Sequence, residues 1–308
     1  MKYIQQAYKG KNEWWRYALT IFIVFIGWQL IGIIPLFMTA LSKANNMGEL
    51  IEASGDAFMS LGINSNLYLF VMILSFFFGL ISLLFSVKYV HQRKVITLIT
   101  SRNTIDWKRI AYAFSLWFGL SVATLALDYS LSPEDYTWNF NLVPFSILVL
   151  VSFLFMPFQT SFEELLFRGY FLQGLGIWFK NAAVPLVLTS LIFGLLHSFN
   201  PEVEKLGPMV LIYYIATGFL FGITTLMDEG TELALGMHAA NNIVAAVFVS
   251  MNWTVFQTDA LFIDSSEPSI GLEIFLPVIV IYPLVLFVFS KRYGWKNWNQ
   301  KLFGKVEE

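Results

Sequence analysis

Apolar residues run in long blocks along this chain, and polar residues gather between the blocks. A helix that crosses a bilayer needs about 20 mostly apolar residues. Eight segments meet that need: 17–42, 67–90, 109–128, 143–167, 182–199, 208–228, 231–250 and 269–290. The first opens YALTIFIVFIGWQLIGIIPLF, too long for the core of a cleaved signal peptide, and reads as a retained anchor. Helical periodicity is weak inside the blocks, as expected where lipid and neighbouring helices are both apolar. The pattern predicts an all-α, polytopic membrane bundle of about eight transmembrane helices. No tandem repeat, low-complexity tract or soluble domain interrupts it, so residues 1–308 read as one integral membrane domain. The connection 43–66 is expected to hold a short interfacial helix.

Composition sharpens this picture. The chain is 57% hydrophobic, 18% aromatic and only 13% charged, with a mean hydropathy of +0.64. Soluble domains carry about 25% charged residues, so an ordinary soluble fold and intrinsic disorder are both excluded. A net charge of −2 gives no sign of a nucleic-acid partner. The absence of cysteine removes disulfides, thiolate nucleophiles and cysteine metal sites. Lysine and arginine set orientation. In an eight-span ladder, all but Lys43 and Lys205 of the 19 basic residues fall on one side. The reading is both termini in the cytoplasm. The excess of lysine over arginine fits a low-GC genome and a prokaryotic plasma membrane.

The informative residues are those that lipid excludes. In Ser161-Phe162-Glu163-Glu164-Leu165-Leu166-Phe167-Arg168-Gly169 two acids are adjacent, hence about 100° apart on a helix. Glu164 and Arg168 are four apart and can pair. Glu163 points elsewhere and has no local partner, which suits a proton acceptor or donor. Phe193-Gly194-Leu195-Leu196-His197 places a histidine at the end of an apolar run, one turn after a phenylalanine. Gly236-Met237-His238-Ala239-Ala240-Asn241-Asn242 puts His238 and Asn242 on one helix face. The third histidine, His91, lies among basic residues and reads as solvated. Taken singly, each motif has a plain structural reading: acids at a headgroup, a histidine on a carbonyl, polar glue between helices. Gly218 and Gly222 form a GxxxG pair that reads as close helix packing.

Taken together, in this order and within eight spans, the three motifs resemble the CPBP family of intramembrane proteases. That family covers CAAX prenyl endopeptidases and bacteriocin-processing or immunity proteins, also called Abi proteins. Glu163, Glu164, Arg168, Phe193, His197, His238 and Asn242 carry the resemblance, none departs from the pattern, and residues 140–255 form the motif-bearing catalytic core. The resemblance implies hydrolysis of a peptide bond within the membrane, on a membrane-associated peptide or protein. The residues agree with it: there is no Gly-x-Ser-x-Gly elbow, no cysteine and no intramembrane Asp pair. Glu163 is then the general base, assisted by His197. His238 and Asn242 polarise the carbonyl and hold the oxyanion. Glu164 with Arg168 fixes the helix, and Phe193 restrains His197.

No cofactor is required on this reading. Two histidines and a glutamate are also a catalytic zinc set, although the His-Glu-x-x-His helix is absent. If a metal binds, Glu163, His197 and His238 are the expected ligands. The alternatives are a non-catalytic scaffold or regulator on the same fold, as in bacteriocin immunity, and a transporter. The inverted repeats and paired broken helices common in transporters are not visible. One tension remains in the ladder. At 1.5 Å per residue, Glu163 falls about 30 Å along its span from the outer side, at the cytoplasmic edge. His238 falls about 10 Å and His197 about 23 Å in from the cytoplasm. A later start to the fourth span, running on through Glu163 to Gln173, relieves this and predicts a polar cavity open mainly to the cytoplasm.

Overall fold

The computed structural model describes residues 2–308. It is helical, with three short strands. Helices form at all eight expected positions. In chain order they are α1 (Trp14–Lys43), α2 (Ser65–Val90), α3 (Trp107–Leu131), α4 (Leu142–Phe179), α5 (Ala183–Leu196), α6 (Pro208–Asp228), α7 (Glu232–Val247) and α8 (Ile274–Tyr293). Six of these are long and apolar enough to cross a membrane. The exceptions are α5 and α7, with 14 and 16 residues. At 1.5 Å per residue they reach about 21 and 24 Å, short of a hydrocarbon core of about 30 Å. Helix α7 is enclosed by the bundle, packed on α3 and α4, whereas α5 packs on α6 and leaves Val187, Leu191, Ile192, Leu195 and Leu196 exposed along one face. A short helix, Met47–Ala53, capped by the Asn46 side chain, occupies the expected place in the first long connection.

Helix α4 runs unbroken through Glu163 and Gln173, as the depth argument requires. It starts at Leu142, however, and gains its reach by extending to Phe179. A wide, π-type turn over Leu165–Phe171 follows the two glutamates directly. Such turns cost helix regularity and often mark functional positions.

Polar contacts divide the bundle into two ends. At one end Tyr3 donates its hydroxyl to the Leu98 carbonyl at 2.6 Å and its backbone N–H to Glu229 at 2.7 Å. Gln5 donates to the Glu307 carbonyl at 2.8 Å, bringing the two terminal segments together. Arg102 and Arg109 clamp Asp228 at 3.0 and 2.6 Å, and Arg102 also reaches Glu232 at 3.2 Å. At the other end β1 (Tyr136–Trp138) pairs antiparallel with β3 (Phe262–Asp264), and β2 (Val249–Ser250) pairs parallel on its other edge. There Asp259 accepts from Ser65 and Asn66. Exposed Trp14, Trp15 and Trp107 ring the terminal end and Trp138 the sheet end, as aromatic residues do at a bilayer interface.

His91 corrects one expectation. It is buried rather than solvated, at 2% exposure. Its Nδ1 lies 2.7 Å from the Lys11 carbonyl and its Nε2 2.8 Å from the Tyr170 hydroxyl. Burial pushes its pKa down to about 4, so it is neutral at pH 7 and serves as a hydrogen-bonded post between chain segments.

Small residues set the close approaches. A methyl group at Gly236 would lie 2.3 Å from the Ile110 carbonyl oxygen of α3, and one at Gly218 would lie 2.8 Å from the Ser190 carbonyl oxygen of α5. Gly236→Ala is therefore expected to push α3 and α7 apart and to cost about 1–3 kcal/mol, the usual range for overpacking. A lowered thermal midpoint in detergent checks this; an unchanged midpoint would show that the helices can separate freely.

Candidate active site

Helix geometry brings the motif residues to one place. On α4, Gln159 and Glu163 stand four apart on one row, and Glu164 and Arg168 on the adjacent row. The second row turns into the protein: Glu164 and Arg168 are both fully buried. Arg168 Nη1 donates to Glu164 Oε1 at 3.2 Å, the pair expected from the spacing. Arg168 Nη2 reaches the Gly218 carbonyl of α6 at 3.3 Å. The guanidinium carbon sits 4.1 Å from the centre of the Phe193 ring, a contact that favours a cation where water is absent.

His238 links the two rows. Its Nδ1 lies 2.8 Å from Glu164 Oε1 and its Nε2 3.6 Å from Glu163 Oε2. Phe221 stacks on the ring at 5.2 Å between centroids. With Glu164 ionised against Arg168, Nδ1 is the donor. The imidazole and the Arg168 guanidinium together face two carboxyl groups, which balances donors against acceptors at this point of the bundle. Such a balance matters because an uncompensated buried charge is costly.

Glu163 does have a local partner, which corrects the sequence reading. Gln159 Nε2 donates to its Oε1 at 2.8 Å, and the Gln159 side-chain Oε1 accepts from Asn242 Nδ2 at 2.9 Å. Gln159 thus ties the base candidate to the amide candidate across two helices. Its position four residues before Glu163 was the available signal for it. Asn242 Nδ2 keeps a second hydrogen for another acceptor.

His197 ends α5. Its Nδ1 lies 2.7 Å from the Phe193 carbonyl, which can only accept, so Nδ1 carries the hydrogen and Nε2 is bare in the neutral ring. Tyr214 stacks on the imidazole at 4.2 Å and 20°. Phe193 therefore restrains His197 through its backbone as well as its ring.

Glu163, His197, His238 and Asn242 line one cavity of about 340 Å³, together with Gln159, Phe193 and Tyr214. Its apolar wall is formed by Met72, Phe76 and Phe256, and Asn200, Glu202 and Val255 also line it. These lie towards the sheet end. The cavity thus sits in the half of the bundle away from both termini, whereas the sequence ladder had placed its opening on the side of the termini. Helix α5 accounts for the difference: it starts at the terminal end, where the Ala182 N–H donates to the Gly304 carbonyl at 3.2 Å, and delivers His197 only at its far end. A second cavity between α1, α2, α4 and α5 also reaches Glu163 and His197, past Trp28, Phe162 and Leu196. Leu196 is exposed on the bundle's flank.

The residues do not suit a metal. Among the described residues no group of three or more His, Asp or Glu is gathered closely enough to hold an ion, so Glu163, His197 and His238 form no ligand set here. Both nitrogens of His238 already face carboxylates. What the site offers is two proton acceptors, Glu163 and His197 Nε2, opposite the His238 ring and the donor Asn242 Nδ2. That arrangement can take a proton from water while stabilising a negative oxygen.

Comparison with known proteins bears on what this arrangement serves. The family model described as type II CAAX prenyl endopeptidase Rce1-like matches residues 143–244, the stretch that holds Gln159, Glu163, Glu164, Arg168, Phe193, His197, His238 and Asn242. The uncharacterized protein YyaK of Bacillus subtilis is 31% identical over 257 residues, covering 80% of this chain and 82% of that protein. No solved structure matches the chain at a significant level.

Proposed function

This chain belongs to the Rce1-like family of type II CAAX prenyl endopeptidases, and from that premise we propose that it is an intramembrane endopeptidase that hydrolyses a peptide bond of a membrane-associated substrate. The observation that carries the reading is the meeting of Glu163, His197, His238 and Asn242 around one cavity inside an apolar bundle. Water held between Glu163 and His197 Nε2 gives its proton to Glu163 and attacks the scissile carbonyl carbon. The carbonyl oxygen becomes an oxyanion held by His238 Nε2–H and the second Asn242 hydrogen. When the C–N bond breaks, Glu163 returns the proton to the leaving amine. Glu164 and Arg168 hold His238 in place, and Gln159 aligns Glu163 with Asn242.

In the same reading the chain crosses the membrane at all eight apolar helices, with α7 sheltered by its neighbours and α5 exposing one apolar face. Both termini are cytoplasmic in a prokaryotic plasma membrane, because the basic residues cluster at the terminal end. The cavity then opens towards the extracytoplasmic side, and the flank beside Leu196 gives lateral entry from lipid.

The test is cleavage by the purified full chain of a panel of membrane-tethered peptides in the presence of a chelator. At least one peptide is expected to be cut at a single bond, and in ¹⁸O-water the new carboxylate gains the heavy oxygen. Cleavage abolished by chelator and restored by zinc would overturn the metal-free chemistry. Binding without cleavage of any peptide would favour a scaffold.

A further inference from the structure

Glu202 is a second carboxylate in the same cavity, and the hydrolysis proposed above does not use it. It is 9% exposed. Its Oε1 accepts the Val255 N–H at 2.9 Å, which ties the segment after α5 to the segment after α7 at the cavity wall. Its Oε2 is buried with no hydrogen-bond partner. A carboxylate oxygen withdrawn from water normally has a donor or a cation opposite it. No lysine or arginine lines this cavity among the described residues. The protein therefore supplies no cation of its own to Glu202, and a substrate's terminal carboxylate would meet none.

The surroundings point the same way. The sheet end presents Glu52, Asp56, Glu134, Glu204 and Glu267 as exposed acids, against Lys43 and Lys205. A field of one sign around a cleft concentrates ligands of the other sign. A cavity of about 340 Å³ is roughly 9 Å across, the reach of about three extended residues.

We infer that Glu202 is a specificity subsite for a cationic group of the peptide, a lysine or arginine side chain or a free α-amino group, within about three residues of the scissile bond. The inference rests on the endopeptidase reading, but its test does not depend on turnover. The full chain in neutral detergent is titrated with end-capped, fluorescent dodecapeptides of alanine and leucine carrying one central lysine, norleucine or glutamate. A hydrogen bond to a charged group exceeds a neutral contact by enough to give about tenfold tighter binding, so lysine is expected to exceed norleucine by about tenfold, with glutamate weakest. Glu202→Gln keeps the oxygen that Val255 needs and is expected to bring the lysine-to-norleucine ratio near one. Glu202→Asp, which keeps the charge, is expected to retain the preference. Equal binding of the lysine and norleucine peptides by the wild type, or an unchanged ratio in Glu202→Gln, overturns the proposal. Cleavage assays on the same peptides separate the two readings. A lysine preference in binding with no peptide cut leaves Glu202 as the subsite and removes the endopeptidase reading, whereas cutting without a preference removes only the Glu202 inference.

Discussion

Replacing Glu163 with glutamine is expected to lower cleavage by roughly 10²–10⁴-fold, the range for a positioned general base, with the fold unchanged. Glutamine keeps the size and the oxygen that Gln159 donates to at 2.8 Å. What it loses is the capacity to take a proton from water. The substitution also removes one carboxyl group beside His238, whose Nε2 lies 3.6 Å from Glu163 Oε2. Initial rates on a cleaved peptide, beside thermal unfolding of the same preparations, check both halves. A large drop in kcat at an unchanged midpoint is the expected result. Activity within a few-fold of wild type would move the base role to His197, whose Nε2 is also free to accept.

Arg168→Met is expected to be the most destabilising single change at the site, at about 3–5 kcal/mol. Arg168 and Glu164 are both fully buried, and Glu164 Oε1 takes donors from Arg168 at 3.2 Å and His238 at 2.8 Å. Removing the arginine leaves a carboxylate in an apolar interior with one imidazole opposite it. Methionine fills much of the space against Phe193 and Phe221, so the lost packing is the smaller part of the cost. The double variant Glu164→Gln with Arg168→Met removes both charges and is expected to recover most of the stability, because replacing a buried pair costs far less than orphaning one member. Unfolding in detergent of the two single variants and the double variant measures the coupling. A double variant as unstable as Arg168→Met would assign the effect to the Gly218 carbonyl and the aromatic contacts instead.

Local pattern governs much of this protein. Block length and hydropathy located a helix at each of eight positions, since a chain in lipid must satisfy its backbone within each segment. Spacing alone also paired Glu164 with Arg168, because residues four apart on a helix are neighbours in any fold. The order of the Glu-Glu, Phe/His and His/Asn motifs pointed to the family to which the chain belongs.

Other features depended on where helices meet. Length rules treat each span as isolated, so they could not foresee that α5 and α7 are short, that α7 is enclosed by its neighbours, or that α4 extends to Phe179. Those lengths decide how deep Glu163, His197 and His238 sit and at which end the cavity lies. The contacts of His238 with Glu164 and of Asn242 with Gln159 join residues 74 and 83 apart in the chain, and no periodicity reports such pairs. The burial of His91 and the unpartnered oxygen of Glu202 are likewise set by neighbours from distant segments. By itself, then, the sequence determined the helical membrane class, the family and the residue types of the site. Only tertiary packing decided their depth, their partners and the mouth of the cavity, because burial and hydrogen bonding in a bundle belong to the meeting of helices and not to any one of them.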